Sequence, residues 1–344
     1  MNITEHLTVN DWKEVTLTND AGMSVSFLNY GGTITGINVP DQNGHVENVV
    51  LAYENYEDYI HDPNFLGALI GRIAGRVDGA SFSINGEDYH LHENEGKNSL
   101  HGGEQGFHTK LWELSPFQEE DKVGVILTHD SPHLEGGYPG NLSVEVTYQL
   151  NNENQFTISY RAKSDQDTAL TLTNHSYFNV SGDTKRTIHD QKIQFDSNQF
   201  VELDSNLIPT GKIQSVQGTP FDLREETLLR DRLGSNHPQM ALANSGFDHS
   251  FLFNHDKEEN VVVKDEESGR VMKLMTNQPA IVFYTGNNLM EDHKLASGPA
   301  KKHDAMCLET QASPASLHHE GFPDVRLKAG ELYEKYTTFS FGTV

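Results

Sequence analysis

Leu142-Ser-Val-Glu-Val-Thr-Tyr-Gln-Leu150 alternates apolar and polar side chains without a break. Successive side chains of a strand point to opposite faces, so Leu142, Val144, Val146, Tyr148 and Leu150 share one face and Ser143, Glu145, Thr147 and Gln149 the other. This is the pattern of a half-buried antiparallel strand. Asn151-Asn-Glu-Asn154 follows, and Phe156, Ile158 and Tyr160 then resume the alternation, which predicts a hairpin. Similar runs fall at residues 123–129, 169–180, 260–264, 271–276, 280–284 and 332–341. Helical signals are few. Residues 222–233 carry the best, with Asp222 as N-cap and Glu225 in the capping-box position, and residues 54–59 a shorter one.

Many strands between Gly, Asn, Asp and Pro turns, without regular β-α alternation, predict an all-β fold, a sandwich or barrel. No linker, compositional break or fixed-period repeat divides the 344 residues, so one large β domain spanning 1–344 is expected where length alone favours two.

Charge narrows the function. Asp and Glu number 50 against 25 Lys and Arg, a formal charge of −25, which is the wrong field for phosphate backbones or anionic lipid. Nucleic-acid and membrane-surface partners are therefore not expected. Aromatic residues at 9% argue against disorder. The N-terminal residues lack a basic and apolar leader pattern, and the apolar stretch at 65–70 is too short to span a bilayer. The single cysteine, Cys307, allows no intramolecular disulfide and fits a reducing compartment, so a cytoplasmic location is expected. The sequons at Asn2, Asn141 and Asn174 then read as chance matches.

Gly, His, Asn and carboxylates gather in Gly71-Arg-Ile-Ala-Gly-Arg76, Asn98-Ser-Leu-His-Gly-Gly103, Thr173-Asn-His-Ser-Tyr-Phe178, Gly246-Phe-Asp-His-Ser-Phe251 and Leu308-Glu-Thr-Gln311. The first lacks the Lys-Ser/Thr of a phosphate loop and the spacing of a dinucleotide fingerprint. Its arginines, Arg72 and Arg76, suit either surface ion pairs or bidentate bonds to vicinal hydroxyls. Among the 18 histidines, His90-Leu-His92 puts two imidazoles on one strand face, and a metal there could recruit His101 or the His318-His319 pair, although no compact Cys/His quartet is present. Cys307 lies in an apolar run and reads as a small buried hydrophobe, and there is no Gly-x-Ser-x-Gly elbow. Acid–base chemistry remains. His175 sits in a run dense in hydrogen-bonding groups, and Glu309 follows an apolar run that would raise its pKa if buried. Read locally, Glu309 could equally be a strand end in solvent, His175 a histidine satisfied by backbone, and Asp248 is as open.

Taken together, Asn64-Phe-Leu-Gly-Ala-Leu-Ile-Gly-Arg-Ile-Ala-Gly-Arg76, Asn98-Ser-Leu-His-Gly-Gly103, Asn174-His-Ser-Tyr-Phe-Asn179, Phe247-Asp-His-Ser-Phe251, Phe283-Tyr-Thr-Gly-Asn287 and Leu308-Glu-Thr-Gln311 resemble, in order, the motifs of the aldose 1-epimerases, or galactose mutarotases. Phe322-Pro323 and Gly330-Glu-Leu-Tyr333 extend the likeness over nearly the whole chain. The resemblance implies a large antiparallel β-sandwich of the galactose mutarotase type with a carbohydrate cleft. It implies Glu309 as general base, His175 as general acid, and His101, Arg76, Asp248 and Tyr177 around the sugar, with His101 an auxiliary to catalysis. The partner implied is a small aldose, the chain a monomer or homodimer, and neither a metal nor a nucleotide cofactor is needed for ring opening. Gly75 and Val282 depart from the family pattern, which often has Asn and Gln there, and residues 314–321 depart as well. A hexose 6-phosphate epimerase and a non-catalytic sugar-binding module are the competing expectations.

Overall fold

The computed structural model describes residues 1–290 and 294–344. Strands dominate it, and among the described residues the one α-helix is the five-residue Pro238–Leu242. The predicted hairpin is present: Leu142–Asn151 pairs antiparallel with Gln155–Ser164, Leu150 opposite Phe156, with every apolar position from Leu142 to Leu150 buried. These strands lie in a nine-stranded sheet with Glu113–Gln118, Lys122–Ser131, Leu332–Thr343, Arg270–Thr276, Val261–Lys264, Lys192–Phe195 and Thr227–Leu228. A five-stranded meander runs from Asn2–Leu7 to Val46–Asn48. A six-stranded sheet has the order Tyr177–Phe178, Met306–Gln311, Ala280–Tyr284, Asp248–Phe253, Ser197–Leu203, Pro209–Ser215.

One apolar core runs through all three sheets. Phe27 of the meander meets the Tyr148 ring edge-on at 4.9 Å, and Phe178 of the six-stranded sheet lies 5.0 Å from Phe339 of the nine-stranded sheet. Burying both inner faces against one another is what makes the alternation of each strand consistent with a sandwich.

Two readings of local pattern are corrected. Residues 222–233 are not a helix: Thr227–Leu228 pairs with Lys192 and Ile193 at the edge of the large sheet, and Leu229–Asp231 is a single 3-10 turn. The Leu223 carbonyl accepts from Phe195 N–H at 2.7 Å, and Leu229 N–H donates to Gln191, so tertiary pairing takes the backbone groups a helix would need. Asp222 turns to Arg224 in a bidentate pair instead of capping. Residues 169–180 are not one strand but three two-residue pieces with three partners: Thr168–Ala169 with Arg326–Leu327, Thr173–Asn174 with Leu69–Ile70, and Tyr177–Phe178 with Met306 and Cys307. The chain crosses between sheets here, and His175 sits at the crossing. The helical signal at 54–59 becomes the 3-10 segment Tyr56–His61, which buries Tyr59.

Candidate active site

The six-stranded sheet has a core face and a cleft face. Its register sets Asp248 opposite Tyr284, Ser250 opposite Val282, Val282 opposite Glu309, and both Tyr284 and Tyr177 opposite Cys307. Side chains directly opposite share a face, so Tyr177, Cys307, Glu309, Gln311, Val282, Tyr284, Asp248 and Ser250 all project the same way. Their neighbours Phe251, Ile281, Phe283, Met306 and Leu308 point into the core. This core anchoring holds the register, because a slip of one residue would exchange the two faces.

Segments from outside the sheet close the cleft from above. Arg76–Val77 pairs with Ser99–Leu100, which carries His101 to the rim. His101 N–H donates to the Gly75 carbonyl at 3.1 Å, and Gly75 N–H donates to His101 Nδ1 at 3.2 Å. The turn after it needs Gly102: φ is +85°, and a Cβ there would stand 2.0 Å from the Gly71 carbonyl oxygen. His175 is held through its backbone by Ala68 and Gly67, its N–H donating at 2.9 Å and its carbonyl accepting at 3.1 Å. Phe65 packs against both imidazoles, its ring 4.8 Å from His101 and 5.9 Å from His175.

The result is a cleft of about 190 Å³, open to solvent, that gathers all six residues named from the sequence: Arg76, His101, His175, Tyr177, Asp248 and Glu309. His175 Nε2 stands 3.5 Å from Glu309 Oε1. The two imidazoles are perpendicular at 5.1 Å, and Tyr177 lies 5.2 Å from His175. Glu309 is 3% exposed, so it is neither at a strand end nor in solvent, and its Oε2 has no hydrogen-bond partner. Arg76 grips Glu95 in two bonds of 2.6 and 2.7 Å and approaches Asp248 at 3.8 Å.

Burial governs the protonation states. It pushes the Glu309 carboxyl well above its ordinary range, the Asp248 carboxylate adds to the shift, and Arg76 opposes it. Asp248 is also raised by burial, against the pull of Arg76. At Arg76 the opposing effect of burial is outweighed by Asp248 and Glu95, and the guanidinium is held more firmly charged. Burial lowers His175 to about 4, below the value near 6.5 of a free imidazole, and also holds His101 well below that ordinary value, with help from His175 and Arg76. Both rings are neutral at neutral pH.

The hydrogen-bond partners set the tautomers. Gly75 N–H occupies the Nδ1 lone pair of His101, which leaves the proton on Nε2. Behind His175, Cys307 Sγ lies 3.6 Å from Nδ1, and burial keeps that thiol protonated. With the proton on Glu309, Nε2 is the bare nitrogen facing the carboxyl at 3.5 Å, which leaves the ring proton of neutral His175 on Nδ1. His101, His175 and Glu309 also bring ligand atoms within 4.8 Å of one another, the one such grouping among the described residues. The Gly75 contact makes His101 a donor there, and ligation through Nε2 would cost that backbone bond.

The other sequence candidates lie elsewhere. His90 and His92 are exposed, and His92 faces Glu104 at 3.6 Å. His318 and His319 donate from Nε2 to the carbonyls of Ser81 and Pro209, both at 2.9 Å. Arg72 is neither a surface ion pair nor part of the cleft: it is 2% exposed and donates to the carbonyls of Ser131, Pro132 and Pro139. Sequence reading missed Glu95, Phe65, Tyr284 and Gln311 as cleft residues. For Gln311 the signal was its two-residue spacing from Glu309 on one strand; for Glu95 no local signal exists.

A sandwich whose smaller sheet carries a buried carboxylate beside a buried imidazole, in a polar cleft, has the fold and acid–base equipment of a sugar-isomerising enzyme. The comparisons define the family. The aldose 1-epimerase family model matches residues 13–340. Galactose mutarotase of Bos taurus is 39% identical over 322 residues, 93% of this chain and 91% of that protein. Aldose 1-epimerase of Escherichia coli (strain K12) is 31% identical over 335 residues, 96% and 95% of the two chains. The crystal structure of galactose 1-epimerase from Lactobacillus acidophilus NCFM superposes with a TM-score of 0.87 at 30% identity, covering 99% of this chain and 98% of that one. The chain belongs to the aldose 1-epimerase family, and it is a mutarotase, an isomerase.

Proposed function

We propose that the protein interconverts the α and β anomers of free aldohexoses such as galactose and glucose, with Glu309 as general base and His175 as general acid. The observation that carries this is the 3.5 Å approach of His175 Nε2 to Glu309 Oε1 inside the cleft. The pair titrates as a unit, and with one exchangeable proton it has two arrangements. Burial favours the uncharged one, with the proton on Glu309. A bound pyranose offers the C1 hydroxyl to the carboxylate and the ring oxygen to the imidazolium, which favours the charged one. Glu309 then takes the C1 hydroxyl proton while His175 gives its Nε2 proton to the ring oxygen, and the C1–O5 bond breaks to leave an aldehyde. That step cancels the buried charge separation, so the cleft stabilises the open-chain state. Rotation about C1–C2 and the reverse transfers close the other anomer and restore the pair.

His101, a fixed Nε2–H donor, assists by hydrogen bonding to the sugar, while Arg76, Asp248 and Tyr177 orient it. The whole chain, 1–344, acts as one domain, supported by the core shared among its sheets. A cytoplasmic location is part of this reading, supported by the lone, buried, free Cys307; among the described residues no helix is long and apolar enough to cross a membrane. Against a 6-phosphate substrate stands the charge of the cleft: Arg76, the sole Lys or Arg among its described lining residues, is already committed to Glu95 and Asp248. Against a mere binding module stands Glu309 itself, since affinity for a neutral sugar does not require a buried carboxyl with one oxygen unpaired.

Polarimetry of freshly dissolved α-D-galactose and α-D-glucose tests the proposal. Accelerated equilibration is expected, reduced by roughly two or more orders of magnitude in Glu309→Gln and in His175→Asn. An unchanged rate in Glu309→Gln would overturn the assignment of the base.

A further inference from the structure

Two residues beyond Glu309, the cleft holds a side chain to which the acid–base pair assigns no task. Gln311 is 0% exposed, projects from the same face of Met306–Gln311, and lines the cleft beside Gly75 and Pro314. Its amide is half used. Nε2 donates to the Ala312 carbonyl at 3.2 Å, and Oε1 has no partner. The orientation is fixed by chemistry, because exchanging the two ends would set the amide oxygen against the Ala312 carbonyl oxygen. Gly75 packs against the nitrogen side: a Cβ there would come within 3.2 Å of Nε2 and 2.7 Å of Pro314 Cγ.

Buried polar atoms are almost always paired, so each exception calls for a physical account. Among the described cleft-lining residues the unpaired side-chain atoms are two, Glu309 Oε2 and Gln311 Oε1. Both are acceptors. Residues i and i+2 of a strand are about 6.6–6.8 Å apart, close to the width of a hydroxylated six-membered ring. With both side chains on one face at that backbone spacing, a sugar whose C1 hydroxyl lies on Glu309 brings another hydroxyl toward Gln311. Val282, opposite Glu309 on the adjacent strand, offers no such acceptor.

We propose that Gln311 is a further substrate-binding residue, its Oε1 accepting the hydrogen of one ring hydroxyl while Nε2 stays on the Ala312 carbonyl. The inference rests on the reading of this cleft as an aldose site. Because the contact is made to a hydroxyl remote from C1, it tunes recognition of the sugar and takes no part in proton transfer.

The test is mutarotation kinetics of the wild type and Gln311→Met, which keeps the side-chain length and removes the acceptor, on galactose and on its 2-, 3-, 4- and 6-deoxy analogues. The expected result is a loss of about tenfold in kcat/KM on galactose, mainly through KM, that disappears for the one analogue lacking the contacted hydroxyl. Wild-type enzyme should discriminate against that analogue and the variant should not. Equal losses on every sugar, or none on galactose, would overturn the contact while leaving the aldose reading intact. Wild type that accelerates none of these sugars would overturn both. Should Gln311→Met fail to give a cooperative thermal transition, Gln311→Asn, which draws the oxygen back by one methylene, is compared in the same way, with the same outcomes deciding.

Discussion

Glu309→Gln should cost activity and add stability. Glu309 is 3% exposed, its Oε2 has no hydrogen-bond partner, and Asp248 shares its surroundings. Gln keeps the shape and cannot ionise. The folded chain must hold a proton on Glu309 that the unfolded chain has released by pH 8, and Gln carries no such penalty, so a gain of roughly 1–3 kcal/mol is expected near pH 8. With an unfolding entropy of about 2.1 cal/mol/K per residue over 344 residues, that is a rise in Tm of about 1–4 °C. The pH dependence is the sharper part. The folded-state pKa of Glu309 is raised above that of the unfolded chain, so below about 4.3 the carboxyl is protonated in both states and carries no penalty. As pH rises toward the folded value, the unfolded chain has released a proton that the folded chain keeps, and stability is lost. The advantage of the variant must therefore be small near pH 5 and grow toward pH 8. Urea unfolding of both proteins at pH 5, 6.5 and 8 measures it. A variant no more stable at pH 8, or a gain independent of pH, would refute the picture of Glu309 as a buried, uncompensated acid.

His175 has the opposite sign. Its pKa is lowered to about 4 by burial, so below 6.5 the unfolded chain binds a proton the folded chain does not, and stability present at neutral pH is lost on acidification. Between pH 6.5 and 5 this one group accounts for about 1.6 kcal/mol. The stability of His175→Asn should fall less steeply over that interval, and parallel curves from chemical denaturation would contradict the assignment. Arg72→Met should destabilise by about 3–5 kcal/mol, because it strips the carbonyls of Ser131, Pro132 and Pro139 of their donor. A shift in the urea midpoint worth less than 1 kcal/mol would show that those carbonyls find other partners.

How much of this could be read from the chain depends on the range of the interactions involved. The strand at 142–151 is legible because one of its faces is wet, and side-chain alternation is a local property of the backbone. Met306–Gln311 has the same geometry but is buried on both faces, by core on one side and by cleft on the other, so its alternation is hidden in composition. Glu309 could for that reason be read as a strand end. The run through His175 looked like one strand because its residues favour extended backbone, yet its hydrogen bonds go to three separate partners, and only the assembled fold supplies those. Residues 222–233 carried capping signals worth about 1 kcal/mol, too little to hold a helix against sheet pairing at Thr227–Leu228. The likeness to aldose 1-epimerases supplied the grouping of Arg76, His101, His175, Asp248 and Glu309 that no local pattern could. What neither route could supply was the electrostatic state of the pair, since that follows from burial and from distances of a few ångströms. The same alternation explains how the fold tolerates so costly a site. On Met306–Gln311 the even-numbered Met306 and Leu308 fix the strand in the core, while Glu309 and Gln311 face the cleft and Cys307 packs in a second apolar cluster behind His175. Substitutions at cleft positions such as Val282 and Gly75 can therefore alter sugar recognition while the core residues that hold the register stay as they are.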